Sequence, residues 1–280
     1  MPLCASESCG RRRRWWQGAS VGVTLDRAWL CSRACVERTL RARVGEPRPR
    51  GAEPSAGRPP LRLGALLRHQ RACRPEQIDA ALAAQGESQL RLGEQLRAMG
   101  AVQGPAVLRA LAAQAGVSYL ASVDVERVHD APGGLGLDAV LALGVLPLGP
   151  VDGTRMRVAF PAPVPRAALT ALRALTGWTP EPFLVGDDDW LELLRHYGAG
   201  LEARGLRADP PVADADDAVL RLTEAVMAAG HADLREARWA GFVWLRVLGG
   251  PAPVDVVFDH RVETLELPKE ATWPAATTSL

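Results

Sequence analysis

Two stretches of this chain are near copies of one another. RLGALLRHQRACRPEQIDAALAAQ (residues 62–85) and RLGEQLRAMGAVQGPAVLRALAAQ (91–114) share 11 of 24 positions at an offset of 29, with five residues between them. Each opens on Arg-Leu-Gly and closes on Ala-Ala-Gln. Such a duplication restricts the fold strongly, because copies of one supersecondary unit bury their apolar faces against each other. Each copy reads as helix–turn–helix. Leu63, Leu66 and Leu67 share one helical face, as do Ile78, Ala81 and Leu82, then Leu92 with Leu96, and Val107, Ala110 and Leu111. Pro75 and Pro105 fall where a helix begins and a missing N–H costs nothing. Cys73 aligns with Val102 and so reads as a core side chain.

The other four cysteines lie near the start: Cys4, Cys9, Cys31 and Cys35, as C-x4-C and C-x3-C pairs. Two thiolate pairs on either side of a short folded segment suit a tetrahedral zinc ion, each pair closing a small loop on one side of the metal. Between them Val21, Val23 and Leu25 alternate, followed by Asp26-Arg27 and Trp29-Leu30, which suggests a hairpin leading into the second pair and a helix through Leu40. This segment resembles a treble-clef zinc finger, although x2 spacing is commoner in both pairs. The zinc would be structural, since four sulfurs leave no place for water. Unmetallated or redox thiols are the alternative. The run Arg11 to Arg14 followed by Trp15-Trp16 offers either a phosphate-and-base surface or a solvated loop beside tryptophans packed on the knuckle, and the second is the simpler.

Residues 44–60, rich in Pro and Gly, read as a linker. Residues 151–160 read as a hairpin turning at Asp152-Gly153, 166–175 as an amphipathic helix and 181–185 as a strand. A helix over 187–197 opens on Asp187, Asp188 and Asp189, better read as a cap cluster than as metal ligands. Residues 204–216 form a second linker, 218–230 a helix, and Val243, Leu245 and Val247 alternate as in a strand. The expected class is α+β: a zinc-finger-like segment (1–43), a linker (44–60), the helical tandem repeat (61–118), an α/β subdomain (119–200), a linker (201–216), a small α/β segment (217–262) and a tail (263–280).

The paired RLG…Q blocks resemble the N-terminal domain of type II secretion and type IV pilus assembly ATPases, the GspE/PulE/MshE N-terminal domain. Residues 115–120 (AGVSYL), 143–148 (LGVLPL), 155–160 (RMRVAF), 175–178 (LTGW) and 195–198 (RHYG) match its later landmarks. The likeness covers residues 62–198. In one branch of that family the paired block binds cyclic di-GMP, a two-fold symmetric ligand suited to two similar half-sites. The resemblance implies contacts from Arg62, Leu63, Gly64, Ile78, Leu82 and Gln85 in one half, and from Arg91, Leu92, Gly93, Val107, Leu111 and Gln114 in the other. An arginine offers paired donors to guanine O6 and N7. The same leucines and glycines would serve as ordinary core and packing positions in any helical hairpin. Arg71 stands where the second copy has Gly100, which threatens the first turn. Residues 231–250 resemble the domain that precedes the nucleotide-binding core of those ATPases.

A net charge of +1 supplies no global attraction to nucleic acid or anionic lipid. No apolar run is long enough for a membrane helix, and the first residues lack the order of a secretory signal; a cytoplasmic protein is expected. No G-x-x-x-x-G-K-[ST] occurs, and the one lysine, Lys269, follows Pro268. A phosphate-binding loop needs that lysine beside its amide cradle, so no ATPase activity is expected. The five histidines are scattered and form no catalytic constellation. With these exclusions, the resemblance implies a non-catalytic regulatory or adaptor protein that binds cyclic di-GMP and contacts a secretion or pilus component. The alternative is an interaction module of the same fold without nucleotide.

Overall fold

The computed structural model describes residues 2–12, 22–45, 61–124, 135–203, 211–239 and 241–260. Trp15, Trp16, Arg13 and Arg14 lie outside the described residues, as do most of the first linker, part of the second and the tail. Near the start, β1 (Val23–Leu25) and β2 (Ala28–Leu30) pair antiparallel around Asp26 and Arg27. Both turn residues are left-handed, at φ 50° and 65°. That is the backbone a two-residue I′ turn needs, because its twist matches that of the strands. Helix α1 (Arg33–Gly45) follows and buries Cys35, Val36, Leu40 and Val44.

The repeat forms four helices: α2 (Leu63–His69), α3 (Pro75–Ser88), α4 (Leu92–Ala98) and α5 (Gly104–Ala115). Packing is exchanged between the copies, α2 lying on α5 and α3 on α4. Their shared core joins equivalent residues: Leu67 with Leu96, Cys73 with Val102, and Ala81 with Ala110. Cys73 is thus a core side chain, and burial pushes its thiol pKa up. Arg71 takes φ 55° where Gly100 takes 65°, so the first turn keeps the shape of the second despite its side chain.

Helix α5 faces two ways. Val107 and Ala110 enter the repeat core, while Leu108 and Ala112 enter a larger one. That larger core is built on β3 (Ser118–Tyr119), α6 (Leu137–Leu143), β4 (Leu146–Pro150), β5 (Arg155–Phe160), α7 (Arg166–Thr176), β6 (Thr179–Leu184) and α8 (Asp187–Ala203). The sheet order is β3-β6-β5-β4, with β3 and β5 parallel to β6 and β4 antiparallel to β5. The Arg166 guanidinium donates to the Ala115 carbonyl at 3.1 Å, tying α7 to the end of the second copy.

Helix α9 (Ala215–Ala229) leads into an antiparallel meander, β7 (His231–Trp239), β8 (Phe242–Leu248) and β9 (Val254–Asp259). The N-terminal hairpin completes this sheet. Strand β1 runs parallel to β7, with Thr24 opposite His231 and Leu25 opposite Ala232, giving the order β2-β1-β7-β8-β9. Helices α1 and α9 cover one face. Trp239, Phe242, Trp244 and Val257 carry the other face into the larger core. Strand β8, buried on both sides, accordingly reads as a nearly unbroken apolar run. Its exception, Arg246, lies 3.5 Å from Asp255, which also accepts the Trp244 indole N–H at 2.7 Å. Burial pushes Asp255 up to about 6. On α6, burial and then the Asp255 charge push Asp138 up to about 7, while its carboxylate accepts the Val257 N–H. The architecture is α+β, as the sequence implies. Among the described residues no helix is long and apolar enough to cross a membrane.

Candidate functional site

The two Arg-Leu-Gly triads occupy equivalent positions. Arg62 and Arg91 stand at the N-caps of α2 and α4, with φ/ψ of −64°/137° and −67°/151°. Both side chains are exposed, and neither has an ion-pair or hydrogen-bond partner among the described residues. Behind them the copies interlock. A Cβ on Gly64 would lie 3.2 Å from Ile78 and 3.6 Å from Leu92, and one on Gly93 would lie 2.8 Å from Val107 and 3.5 Å from Leu63. Each glycine thus admits a residue of its own copy and the leucine of the opposite triad.

The terminal glutamines are engaged in the same reciprocal way. Gln85 Nε2 donates to the Leu90 carbonyl at 2.5 Å, and Gln114 Nε2 to the Leu61 carbonyl at 2.5 Å. Leu61 and Leu90 are the residues just before the triads. The sequence reading overlooks them, although the identity between the copies begins at these leucines, one residue earlier than the triads. Leu61 is 66% exposed, Leu90 39% and Leu82 51%. Of the remaining candidates, Leu63, Leu92, Ile78, Leu111, Gln85 and Gln114 are half-buried, whereas Gly64, Gly93 and Val107 are buried. Two hollows lie elsewhere. One of about 380 Å³ is lined by Leu137, Leu141, Leu191, Leu194 and Arg195, and one of about 370 Å³ sits at the turns around Ala72 and residues 100–103. Neither includes any of the twelve candidates.

The second constellation is the thiol cluster. The hairpin and the start of α1 bring Cys4, Cys9, Cys31 and Cys35 together with all four Sγ atoms within 4.8 Å of one another. Cys31 Sγ lies 3.5 Å from that of Cys9 and 3.6 Å from that of Cys35, close to the ~3.8 Å edge of a tetrahedron with metal–sulfur distances of about 2.3 Å. All are free thiols. Cys31 N–H donates to Cys4 Sγ at 3.4 Å, the kind of contact that supports a thiolate. Burial, followed by hydrogen bonds to Cys9, Cys35 and Cys4, pushes Cys31 up to about 12, while the Ser32 hydroxyl leads the bonds that pull Cys35 down to about 6. The donor set, all sulfur and partly buried, fits a closed structural metal site. Among the described residues no other group of three His, Cys, Asp or Glu side chains could share an ion, and Asp187, Asp188 and Asp189 lie in the first turn of α8.

With this geometry in view, comparison with solved structures finds likenesses over about half of the chain. The similar structures are of MshE and of the N-terminal domain of XpsE. The structure of MshE with cdg aligns at 26% identity over 49% of this chain and 98% of that one, with a TM-score of 0.38. The N-terminal domain of XpsE aligns at 21% identity over 49% of this chain and 93% of that one, TM-score 0.34. A second crystal form of that domain aligns at 21% over 54% of this chain and 99% of that one, TM-score 0.28. No family model and no curated protein matches the chain.

Proposed function

We propose that this chain is a non-catalytic cyclic di-GMP-binding regulatory or adaptor protein, cytoplasmic, and related to the N-terminal domain of secretion and type IV pilus assembly ATPases. The observation that carries the reading is the equivalence of Arg62 and Arg91, two exposed guanidinium groups, unpaired among the described residues, on like backbone at the head of interlocked copies. Each arginine presents two donors to the O6 and N7 of one guanine. Leu61, Leu82 and Leu90 offer apolar surface to the base faces. The Gly64 and Gly93 contacts hold the halves together, and the twelve candidate residues form the site as one unit. In this assignment residues 61–118 bind the ligand and 119–200 form the unit they bear on, joined through α5 and the Arg166–Ala115 bond. Ligand binding changes the surface offered to a secretion or pilus component to the extent that it favours one arrangement of these parts. The four cysteines hold a structural zinc ion that folds the N-terminal knuckle.

Isothermal titration of the full chain with cyclic di-GMP tests this. Heat of binding is expected for the wild type, with Arg62→Ala and Arg91→Ala each weakening it roughly tenfold or more and the double variant abolishing it. A silent wild type would overturn the reading. It would favour a docking module without nucleotide, for which the groove between α6 and α8, with Leu141 and Leu191 exposed, supplies an apolar surface.

A further inference from the structure

We infer that Gln85 and Gln114 are positioning residues that set the arginine triads crosswise, each glutamine fixing the triad of the opposite copy. The inference rests on the reading of the duplicated block as a cyclic di-GMP site. Gln114 Nε2 donates to the Leu61 carbonyl and Gln85 Nε2 to the Leu90 carbonyl, both at 2.5 Å. The donors are 29 residues apart and so are the acceptors, so the bond has been duplicated with the sequence. Each acceptor belongs to the peptide plane whose N–H is that of Arg62 or Arg91. Because the peptide unit is rigid, holding the carbonyl fixes the plane from which the arginine departs. With the donating end of each amide committed to the main chain, its task is geometric.

The two halves are not held equally. The Arg91 N–H also donates to Glu94 Oε2 at 2.9 Å. The equivalent residue in the first copy is Ala65, which offers no acceptor. Among the described residues, the Leu61–Arg62 peptide therefore has only Gln114, whereas the Leu90–Arg91 peptide has two supports. Damage at the end of the second copy disables the head of the first, and more severely than the converse.

Two measurements test this. In amide NMR spectra of the ligand-free full chain, Gln114→Ala is expected to move the Arg62 and Leu63 signals and leave Arg91 in place; Gln85→Ala does the reverse, with a smaller shift. A glutamine serving only as a ligand contact would move neither without ligand. Gln114→Glu keeps the shape but cannot donate while ionised. Its affinity for cyclic di-GMP is expected to fall roughly tenfold or more at pH about 7.5 and to recover toward pH about 5 as the carboxyl regains a proton. The wild type stays level across that range, and Gln85→Glu loses less. An unmoved Arg62 signal in Gln114→Ala, or wild-type affinity in Gln114→Glu at the higher pH, overturns the inference. A wild type that binds no cyclic di-GMP overturns the proposed function instead, and the ligand-free spectra still decide the positioning role.

Discussion

The Asp26 carboxylate accepts the backbone N–H of Leu234 at 2.7 Å, across 208 residues of sequence. The same side chain meets Arg43 at 3.3 Å, and Arg43 in turn reaches Glu236 at 3.6 Å. One turn residue thereby ties the N-terminal hairpin and α1 to β7. Asp26→Ala removes a charged hydrogen bond worth about 1.5–3 kcal/mol and leaves alanine in a left-handed backbone. Asp26→Asn keeps an acceptor and tolerates that backbone, so its loss stays below about 1 kcal/mol. Urea midpoints rank the two variants, and equal losses would contradict the assigned role.

Elemental analysis is expected to find one zinc per chain. Stripping the metal with a chelator should speed amide exchange in β1, β2 and α1, and also in β7, because β1 covers the β7 edge. Exchange that rises in the hairpin alone would sever the link between the thiol cluster and the five-stranded sheet. A zinc content far below one would remove the ion.

Within the repeat, the copies predict unequal mutants. Gly93→Ala places a Cβ 2.8 Å from Val107 and Gly64→Ala one 3.2 Å from Ile78. The first is expected to lose about 1–3 kcal/mol by overpacking and the second less. Arg71→Gly relieves a left-handed arginine and should gain up to about 1 kcal/mol. Gly100→Ala meets open space but a φ of 65°, and should lose a similar amount. Thermal melts of the four variants test the order.

Asp138 and Asp255 give the fold a pH dependence opposite to that of a salt-bridged acid. Their folded values, about 7 and about 6, lie above the ordinary 3.8. Between those limits the folded chain holds more protons than the unfolded one, so stability falls as pH rises from about 4 to about 7. Denaturant midpoints of the wild type are expected to drop over that window, with Asp138→Asn showing a flatter profile. A wild-type midpoint that climbs with pH throughout would contradict the burial of this pair.

The repeat is the most legible part of the chain, because its offset carries directly into packing: residues at the same place in each copy enter one core, as Leu67 and Leu96 do. The cysteine quartet is legible for a related reason, since close pairs can only close small loops. The partner of β1 is not. A strand of three residues has no apolar register of its own, and its pairing with β7 depends on a turn carboxylate whose acceptor role no local pattern marks. The glutamine bonds are equally silent, because a side chain reaching a main-chain carbonyl leaves no periodicity behind. Arg71 misleads in the other direction. Its sequence suggests a spoiled turn, yet the left-handed backbone is kept, with the turn closed by the Ala72 N–H donating to the Leu67 carbonyl at 2.9 Å.

A sheet closed by both regions of the chain imposes a schedule on synthesis. Strand β1 leaves the ribosome with its free edge in water and stays so until β7 emerges, roughly 200 residues and on the order of 10–40 s later at about 5–20 residues per second. Throughout that wait the cysteine quartet is already complete. With the zinc ion proposed for this quartet, assembly would run from metal to sheet, and a cell short of zinc would stall the nascent protein at its first fold rather than at its last.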